Sequence, residues 1–398
     1  MNSKAIGSVL LIIGTTIGAG MLSLPLVIAA CGFTTAIILL VMSWSVMYIT
    51  SLKLLNVCAK YPLGVNFTTM MQSRASRGYQ LVFALIYLLL LYSLMSAYTT
   101  QGASLITLIS PSTGLSNIGV ALPAIIFIVI FSIFMYSYKT SDYANRFFVL
   151  LKFVFFVLAI VIMYSYIRFH NLGNIPLSLY ALIFAWPTLL PSFGFQNIIP
   201  VIYEYQKGDV KSIKKSILIG SLCVLAIYII WVFLALALIP QQGLHSYQTL
   251  FVSGNNTPAG FIAEVSAISN SKVLETGLSI FINIAIITSF IGVGISLMHY
   301  IKDIFTRCNK SINNISLSSV CFIPPLIFTI FYPKGFILAL QYAAIFAVIV
   351  FVYTPIFLNK ERELKLDCSN LYAVGLGTLV ILCQVVNLCF DVSPFGNF

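Results

Sequence analysis

Charged residues are scarce in this chain of 398 residues: 8% are Asp, Glu, Lys or Arg, whereas 60% are hydrophobic. A soluble domain usually carries about 25% charged residues, so this chain cannot cover a folded surface with polar groups. The scarcity excludes an ordinary soluble globular protein. We therefore expect membrane lipid to be the solvent for most of the surface of the chain.

Groups that usually carry catalysis or hold cofactors are also missing. The three histidines are dispersed, the eight cysteines include no CxxC pair, and no acidic residue lies deep inside an apolar run. The chain also has no P-loop sequence, so ATP is not expected to drive it. These absences predict no enzyme, no metal site, no cofactor and no disulfide.

Basic residues outnumber acidic ones, which gives a formal net charge of +11. No basic run is interleaved with aromatic residues on which bases could stack, so nucleic-acid binding is not expected. Basic residues held in cytoplasmic loops explain such a charge in many membrane proteins.

Long apolar runs are what the sequence has in abundance. A transmembrane helix needs about 20 apolar residues. Eleven such runs lie near 6–29, 32–56, 80–106, 119–138, 146–168, 177–201, 213–239, 278–305, 316–332, 335–358 and 370–391. With a cytoplasmic N-terminus, only Arg168, Lys272 and Lys334 of the 21 basic residues lie outside. The positive-inside rule then predicts that the C-terminus is on the outer side.

One outer connection, from about Pro240 to Thr276, is much longer than the others. It contains a mildly amphipathic stretch over 259–269. The stretch is interpreted as a lid on the outer surface, and a passive connector is the alternative.

Two of the runs are interrupted by residues that do not suit a continuous helix. The first contains Gly14-Thr15-Thr16-Ile17-Gly18-Ala19-Gly20, and the sixth contains Pro187, Pro191, Gly194 and Pro200. The two interruptions are five spans apart, an odd number, so the two halves of the chain have opposite orientations. Interrupted spans at matching places in inverted halves indicate a transporter binding site.

The first break suits a carboxylate. Glycines let backbone approach a ligand, and the half-helix after the break offers free N–H groups at its positive end. The candidate substrate-binding residues here are Thr15, Thr16, Gly18, Ala19 and Gly20. The alternative is that Gly14 and Gly18 form a GxxxG helix-packing motif.

The sixth-span break combines polar groups with aromatic faces. Ser192 and nearby backbone carbonyls are candidates to hold an ammonium group, and Phe193 or Phe195 to pack against a substrate ring. The full set at this break is Ser192, Phe193, Gly194, Phe195 and Gln196, with Tyr92 or Tyr98 of the third span closing the pocket. A plain proline kink with lipid-facing phenylalanines is the alternative.

A lysine and two hydroxyls are candidates for ion coupling. Lys152 lies inside the fifth span, where a charge is costly. Thr288 and Ser289 are adjacent hydroxyls in the eighth span, preceded by Ala285. Lys152 is interpreted as a coupling residue whose ammonium replaces a sodium ion, and the alternative is a snorkelling anchor. For the hydroxyls, the alternative is back-bonding to the preceding helical turn.

These motifs resemble the bacterial hydroxy and aromatic amino acid permeases, and most closely the tyrosine-specific members. The resemblance rests on the first break with Pro25 and on further matches along nearly the whole chain: Asn145-Arg146-Phe147, Ser192-Phe193-Gly194-Phe195, Thr288-Ser289-Phe290, and Pro324-Pro325 leading to Phe331-Tyr332-Pro333-Lys334-Gly335-Phe336.

The resemblance implies an all-α, LeuT-type fold in the bacterial inner membrane, with two inverted five-helix repeats and one extra helix. A single transporter domain, 1–398, would divide into 1–170, 171–358 and 359–398. The resemblance also implies proton symport, with sodium less favoured. It places Ala285, Thr288 and Ser289 at the sodium site of related transporters, and Lys152 at the lysine that proton-coupled relatives have there.

The function expected from the sequence is secondary active import of an aromatic amino acid by proton symport with alternating access. Tyrosine is the first candidate, with tryptophan and phenylalanine next. The alternatives are a serine or threonine symporter of the same family, a channel, and a sensor that binds an amino acid without moving it.

Overall fold

The structure is a computed structural model that describes residues 3–64, 70–71, 76–109, 119–135, 138–173, 178–307, 310–359, 367–390 and 392–395. Every regular element within these ranges is a helix. The first eight α-helices are α1 (Ser3–Thr16), α2 (Ala19–Ile28), α3 (Phe33–Cys58), α4 (Arg77–Ile109), α5 (Ala121–Ser132), α6 (Tyr138–Tyr164), α7 (Leu179–Ser192) and α8 (Ile199–Tyr205). The remaining ones are α9 (Val210–Leu238), α10 (Tyr247–Val252), α11 (Pro258–Ser269), α12 (Lys272–Arg307), α13 (Asn314–Phe331), α14 (Phe336–Ala347), α15 (Thr354–Asn359) and α16 (Cys368–Phe390).

The predicted all-helical, polytopic architecture is confirmed. Among the described residues, nine helices are long and apolar enough to cross a membrane, and the bent pair α1–α2 makes a tenth span. The apolar helix Ala121–Met135 is shorter and corresponds to the fourth predicted span. The helix count among the described residues is thus roughly consistent with the eleven crossings expected from the sequence.

The long outer connection contains two short helices, α10 and α11. Side chains cap their starts, since Ser246 accepts from the Thr249 amide and Thr257 accepts from the Gly260 amide. Such caps satisfy backbone donors that a helix start leaves free. Asn270, in the left-handed conformation with φ of 47°, ends α11 and leads into α12. The amphipathic stretch over 259–269 is therefore a helix packed on α12; its role as a lid stays a prediction.

The helices form two compact units. Unit 1 contains Met1–Tyr87, Asn174–Phe233 and Ala344–Phe398, and unit 2 contains Leu88–Gly173 and Leu234–Ala343. Both interrupted spans, the first (α1–α2) and the sixth (α7–α8), lie in unit 1. Helices α6 and α12, which carry the candidate coupling residues, lie in unit 2.

Interior prolines recur in these spans, and each removes the amide that would bond the carbonyl four residues earlier. In a membrane that carbonyl needs another donor. Three of these carbonyls receive a side-chain donor from a different helix: Met21 from Trp231 at 3.1 Å, before Pro25; Ile183 from Asn387 at 2.9 Å, before Pro187; and Val320 from Tyr92 at 2.7 Å, before Pro324. Long-range side chains thus stabilise helices that the prolines would weaken.

Candidate substrate and coupling sites

The first span is broken at the predicted place. Helix α1 ends at Thr16 and α2 begins at Ala19, and the two segments meet at a bend of 53°. Gly18 precedes α2 and provides no side-chain cap, so the first amides of α2 receive no side-chain acceptor from this position. The Thr15 side chain is exposed, whereas the buried Thr16 hydroxyl donates back to the Ile12 carbonyl at 2.6 Å.

The sixth span is broken at the predicted place as well. Helix α7 ends at Ser192, the chain is irregular over 193–195, and a short 3-10 turn leads into α8. Phe193 and Phe195 are each only 1% exposed, so neither is a lipid-facing residue. The Ser192 hydroxyl donates to the Thr188 carbonyl at 2.7 Å, which leaves its lone pairs to accept from a ligand.

The two breaks lie directly against each other within unit 1. A Cβ added to Gly20 would lie 2.8 Å from the Ser192 Oγ and 2.9 Å from the Ser192 Cα. A hydrogen at position 20 is therefore required for α2 to approach α7 this closely. By contrast, a Cβ added to Gly14 would meet no described atom within 4 Å, so Gly14 does not act as half of a GxxxG packing motif among the described residues.

Two aromatic residues of α9, not identified from the sequence, form hydrogen bonds to backbone carbonyls at the breaks. The Tyr228 hydroxyl lies 2.8 Å from the carbonyls of Thr16 and Ser192, the last residues of α1 and α7. Trp231, one turn further along, donates to Met21 on the other side of the first break. Both aromatic side chains are 0% exposed. The signal in the sequence was a Tyr and a Trp three residues apart in an apolar span, since each has a polar group that needs a partner when buried.

We expect Tyr228→Phe to raise the KM for substrate about 3- to 10-fold. The ring would still pack against Phe193, at 4.9 Å between centroids, but the hydroxyl that joins the two half-helix ends would be lost, and a hydrogen bond contributes roughly 0.5–1.5 kcal/mol. Uptake kinetics in proteoliposomes would measure the change. Tyr247→Phe is a matched control, because Tyr247 is equally buried and donates to the Ala235 carbonyl at 3.1 Å. An equal effect in both variants would show that Tyr228 contributes only general stability.

Gln196, predicted as a substrate contact, has hydrogen-bond partners within the protein. Its side chain is 0% exposed, and its Oε1 accepts from the Phe195 amide at 3.0 Å. Its Nε2 donates towards the Met47 carbonyl at 3.2 Å and the Thr50 hydroxyl at 3.1 Å, both in α3. The amide is therefore engaged with protein on both sides and fixes the break of the sixth span to α3.

Gly194 is enclosed by protein on two sides. An added Cβ would lie 2.9 Å from the Pro191 carbonyl oxygen and 3.2 Å from the Phe351 ring. Phe351 belongs to a six-residue π-helical segment, Val348–Tyr353. Such segments are rare and are often found at functional sites. Glycine at 194 thus permits close packing between the sixth-span break and this segment.

In unit 2, Lys152 is buried, with only 5% of its surface exposed. A snorkelling anchor would expose its ammonium, so this burial does not fit the anchor interpretation. Helix α6 packs along α12, and the rings of Phe156 and Phe281 lie 5.2 Å apart. These spans are three apart and therefore antiparallel, which places Lys152, one turn before Phe156, level with Ala285, one turn after Phe281.

The hydroxyls predicted near Lys152 have partners within the protein. Thr288 donates to the Ala285 carbonyl at 3.0 Å, so the back-bonding alternative is observed for this residue. The Ser289 side chain is hydrogen-bonded with the hydroxyl of the buried Tyr98. A hydroxyl that donates to a carbonyl can still accept from an ammonium group, and these contacts are compatible with a coupling role.

Tyr92 and Tyr98, the two tyrosines predicted to close the substrate pocket, have described side-chain contacts within unit 2. Tyr98 contacts Ser289 of α12, and Tyr92 donates to the Val320 carbonyl in α13. The structure thus groups Tyr98 with the coupling residues and Tyr92 with the proline of the ninth span. Ala19 belongs to α2 by its backbone, and its side chain lies outside what the structure describes.

Comparison with known proteins identifies the family of the chain. The profile of the tryptophan/tyrosine permease family matches residues 1–392. The chain belongs to this permease family. It is 32% identical over 397 residues to the tyrosine-specific transport system 1 of Haemophilus influenzae, covering 99% of this chain and 97% of that protein. It is 29% identical to the tyrosine-specific transport system 2 of the same species, with the same coverage.

A second group of relatives has another substrate in its names. The permease is 28% identical over 406 residues to the tryptophan-specific transport protein of H. influenzae, covering 98% of this chain and 96% of that protein. These relatives are named as transport proteins, and the permease is accordingly a multi-pass membrane transporter and not an enzyme.

Proposed function

We propose that this permease imports an aromatic amino acid into the bacterial cell across the inner membrane, with tyrosine as the first candidate and tryptophan and phenylalanine next. The observation that carries the proposal is the direct contact of the two helix breaks at Gly20 and Ser192, beside the buried rings of Phe193 and Phe195. The names of the tyrosine-specific and tryptophan-specific relatives support the choice of substrate.

Each part of an amino acid has a suitable partner at these breaks. The uncapped start of α2 offers backbone N–H groups to the carboxylate. The carbonyls of Thr16 and Ser192 share the single hydroxyl proton of Tyr228, so one of them can accept from the substrate ammonium. An aromatic ring then packs against Phe193 or Phe195, and such ring pairs contribute roughly 0.5–1.5 kcal/mol beyond area burial.

Coupling to protons is assigned to the buried Lys152 and to the hydroxyls of Thr288 and Ser289, level with Ala285. A protonated lysine supplies a positive charge to this cluster and a neutral one does not. Proton binding and release at Lys152 can therefore change the stability of one conformation during alternating access. Sodium is less favoured, because the lysine ammonium already provides the cation.

The proposal includes two inverted repeats, over residues 1–170 and 171–358, and an extra helix within 359–398. Unit 1 contains all or most of the first two spans of each proposed half, and unit 2 contains most of the third and fourth. The fifth spans differ, because α6 lies in unit 2 and most of the tenth span lies in unit 1. The excess of basic residues in the connections assigned to the cytoplasm supports the N-in, C-out orientation.

The experiment is uptake of radiolabelled tyrosine by the purified permease in proteoliposomes with an acidic exterior. We expect accumulation that collapses when the pH gradient is dissipated, with competition by excess tryptophan or phenylalanine and not by serine. Stronger competition by serine would favour a serine or threonine symporter. Binding of tyrosine in detergent without any uptake would indicate a sensor and contradict the proposed function.

A further inference from the structure

The sixth span contains a second interior proline, Pro191. No described side chain donates to the carbonyl that this proline leaves without an amide partner. Pro191 removes the amide that would bond the Pro187 carbonyl. Three other carbonyls in this position receive a donor from another helix, as Ile183 does from Asn387 at 2.9 Å. The Pro187 carbonyl lies next to the substrate break, so a donor for it would act on the break itself.

Gln384 of α16 is the side chain that needs such a partner. It is 0% exposed, and neither its Oε1 nor its Nε2 has a hydrogen-bond partner among the described residues. Buried side-chain amides in folded proteins are paired in the large majority of cases. An amide buried with both polar atoms unpaired among the described residues can take up partners that another conformation of the same helices brings close.

The helix register places Gln384 beside Pro187. Helix α16 packs along α7, and the two are antiparallel because their spans are five apart. From Asn387 to Gln384 the step along α16 is about 4.5 Å, while the carbonyls of Ile183 and Pro187 are about 6 Å apart along α7. The two steps differ by about 1.5 Å. Glutamine is one methylene longer than asparagine, and this extra reach covers the difference.

Trp186 supplies a hydrogen-bond donor near Gln384 and Pro187. Its indole Nε1 is buried without a hydrogen-bond partner among the described residues. It lies one turn after Ile183, opposite Gln384 in the same register. An indole N–H is a donor only, so it matches the free Oε1 of Gln384, while the Gln384 Nε2 matches the Pro187 carbonyl.

We propose that Gln384 is a positioning residue for the substrate break. In a second conformation of the sixth span, its side chain donates to the Pro187 carbonyl and accepts from the Trp186 indole. In the conformation described here, it makes neither hydrogen bond. Asn387 stays bonded to Ile183 and acts as the fixed point beside it. The eleventh span would thereby stabilise one state of the transport cycle, an inference that rests on the proposed transport function.

Gln384→Met tests this proposal, because methionine keeps the length of the side chain and removes both polar atoms. We expect the maximal uptake rate of tyrosine to fall about 5- to 100-fold, the range of two lost hydrogen bonds, with KM changed less than about twofold. The melting temperature should stay level or rise, since an unpaired buried amide is removed. Val385→Leu is the control, because Val385 is 44% exposed on the neighbouring position.

Trp186→Phe supplies the second arm, as a double-mutant cycle. It should also lower the rate, and Gln384→Met with Trp186→Phe should be no slower than Gln384→Met alone. Parental rates in Gln384→Met, or single effects that multiply in the double variant, would overturn the proposal. Loss of folding in both Gln384→Met and Gln384→Leu would overturn it too, because a residue unpaired in this conformation should tolerate an apolar replacement. Absence of tyrosine uptake by the parent would instead reject the proposed function.

Discussion

Lys152→Ala and Lys152→Arg are expected to lose accumulation of tyrosine driven by a pH gradient while retaining exchange of labelled for unlabelled tyrosine. Alanine removes the titrating amine, and arginine does not release its proton in proteins. For the parent, one charge crossing 100 mV supplies about 2.3 kcal/mol, which at about 1.4 kcal/mol per decade supports roughly fiftyfold accumulation. The variants should reach only equilibration, a ratio of about one.

Two measurements separate coupling from a loss of folding at Lys152. Counterflow in the absence of a gradient reports a substrate site that still works, and Lys214→Ala, at an exposed lysine, controls for the loss of a positive charge. If both Lys152 variants accumulate tyrosine like the parent, another group couples protons to transport. If arginine supports accumulation and alanine does not, only the positive charge at this position matters.

Gly20→Ala should reduce uptake more than tenfold, because the new Cβ would lie 2.9 Å from the Ser192 Cα. Backbone must move to relieve that contact, and overpacking of this kind costs typically 1–3 kcal/mol. Gly20→Val should abolish uptake. Membrane insertion should be unchanged in both, since one small apolar side chain barely alters a span that is already hydrophobic. Uptake per amount of permease in the membrane is the measurement.

The matched control is Gly14→Ala, on the same span, where an added Cβ would meet no described atom within 4 Å. Its uptake should stay within about twofold of the parent. Ser192→Gly combined with Gly20→Ala should recover part of the lost uptake, because it removes the Oγ and Cβ of Ser192 and leaves the Cα. Equal loss at both glycines, or no recovery in the double variant, would show that the contact between the breaks is not the cause.

The spans and their breaks could be predicted from the sequence because their causes are local. An apolar run of about 20 residues partitions into lipid whatever its neighbours are, and proline and glycine interrupt a helix at their own position. The break predicted over 14–20 lies between α1 and α2, and the break predicted within 187–200 lies between α7 and α8. The short ninth span likewise ends at Phe331, beside the predicted boundary.

The partners of polar side chains inside those spans were decided only by the tertiary structure. A tyrosine or a glutamine in an apolar run faces lipid or protein according to the rotation of its helix and the helices packed around it. The bonds of Tyr92 with the Val320 carbonyl and of Gln196 with α3 were therefore not predicted from the sequence. The role of Tyr228, whose hydroxyl contacts both half-helix ends, was also not predicted from the sequence.

The sequence by itself determined that this chain is a many-span membrane protein with two interrupted helices, because hydrophobicity and backbone chemistry act residue by residue. Only the tertiary structure decided which atoms meet at the interruptions: Gly20 against Ser192, Tyr228 across both half-helix ends, and Lys152 buried at the level of Ala285. The physical reason is that a polar group in a membrane must find its partner within the protein, and helices distant in sequence supply it.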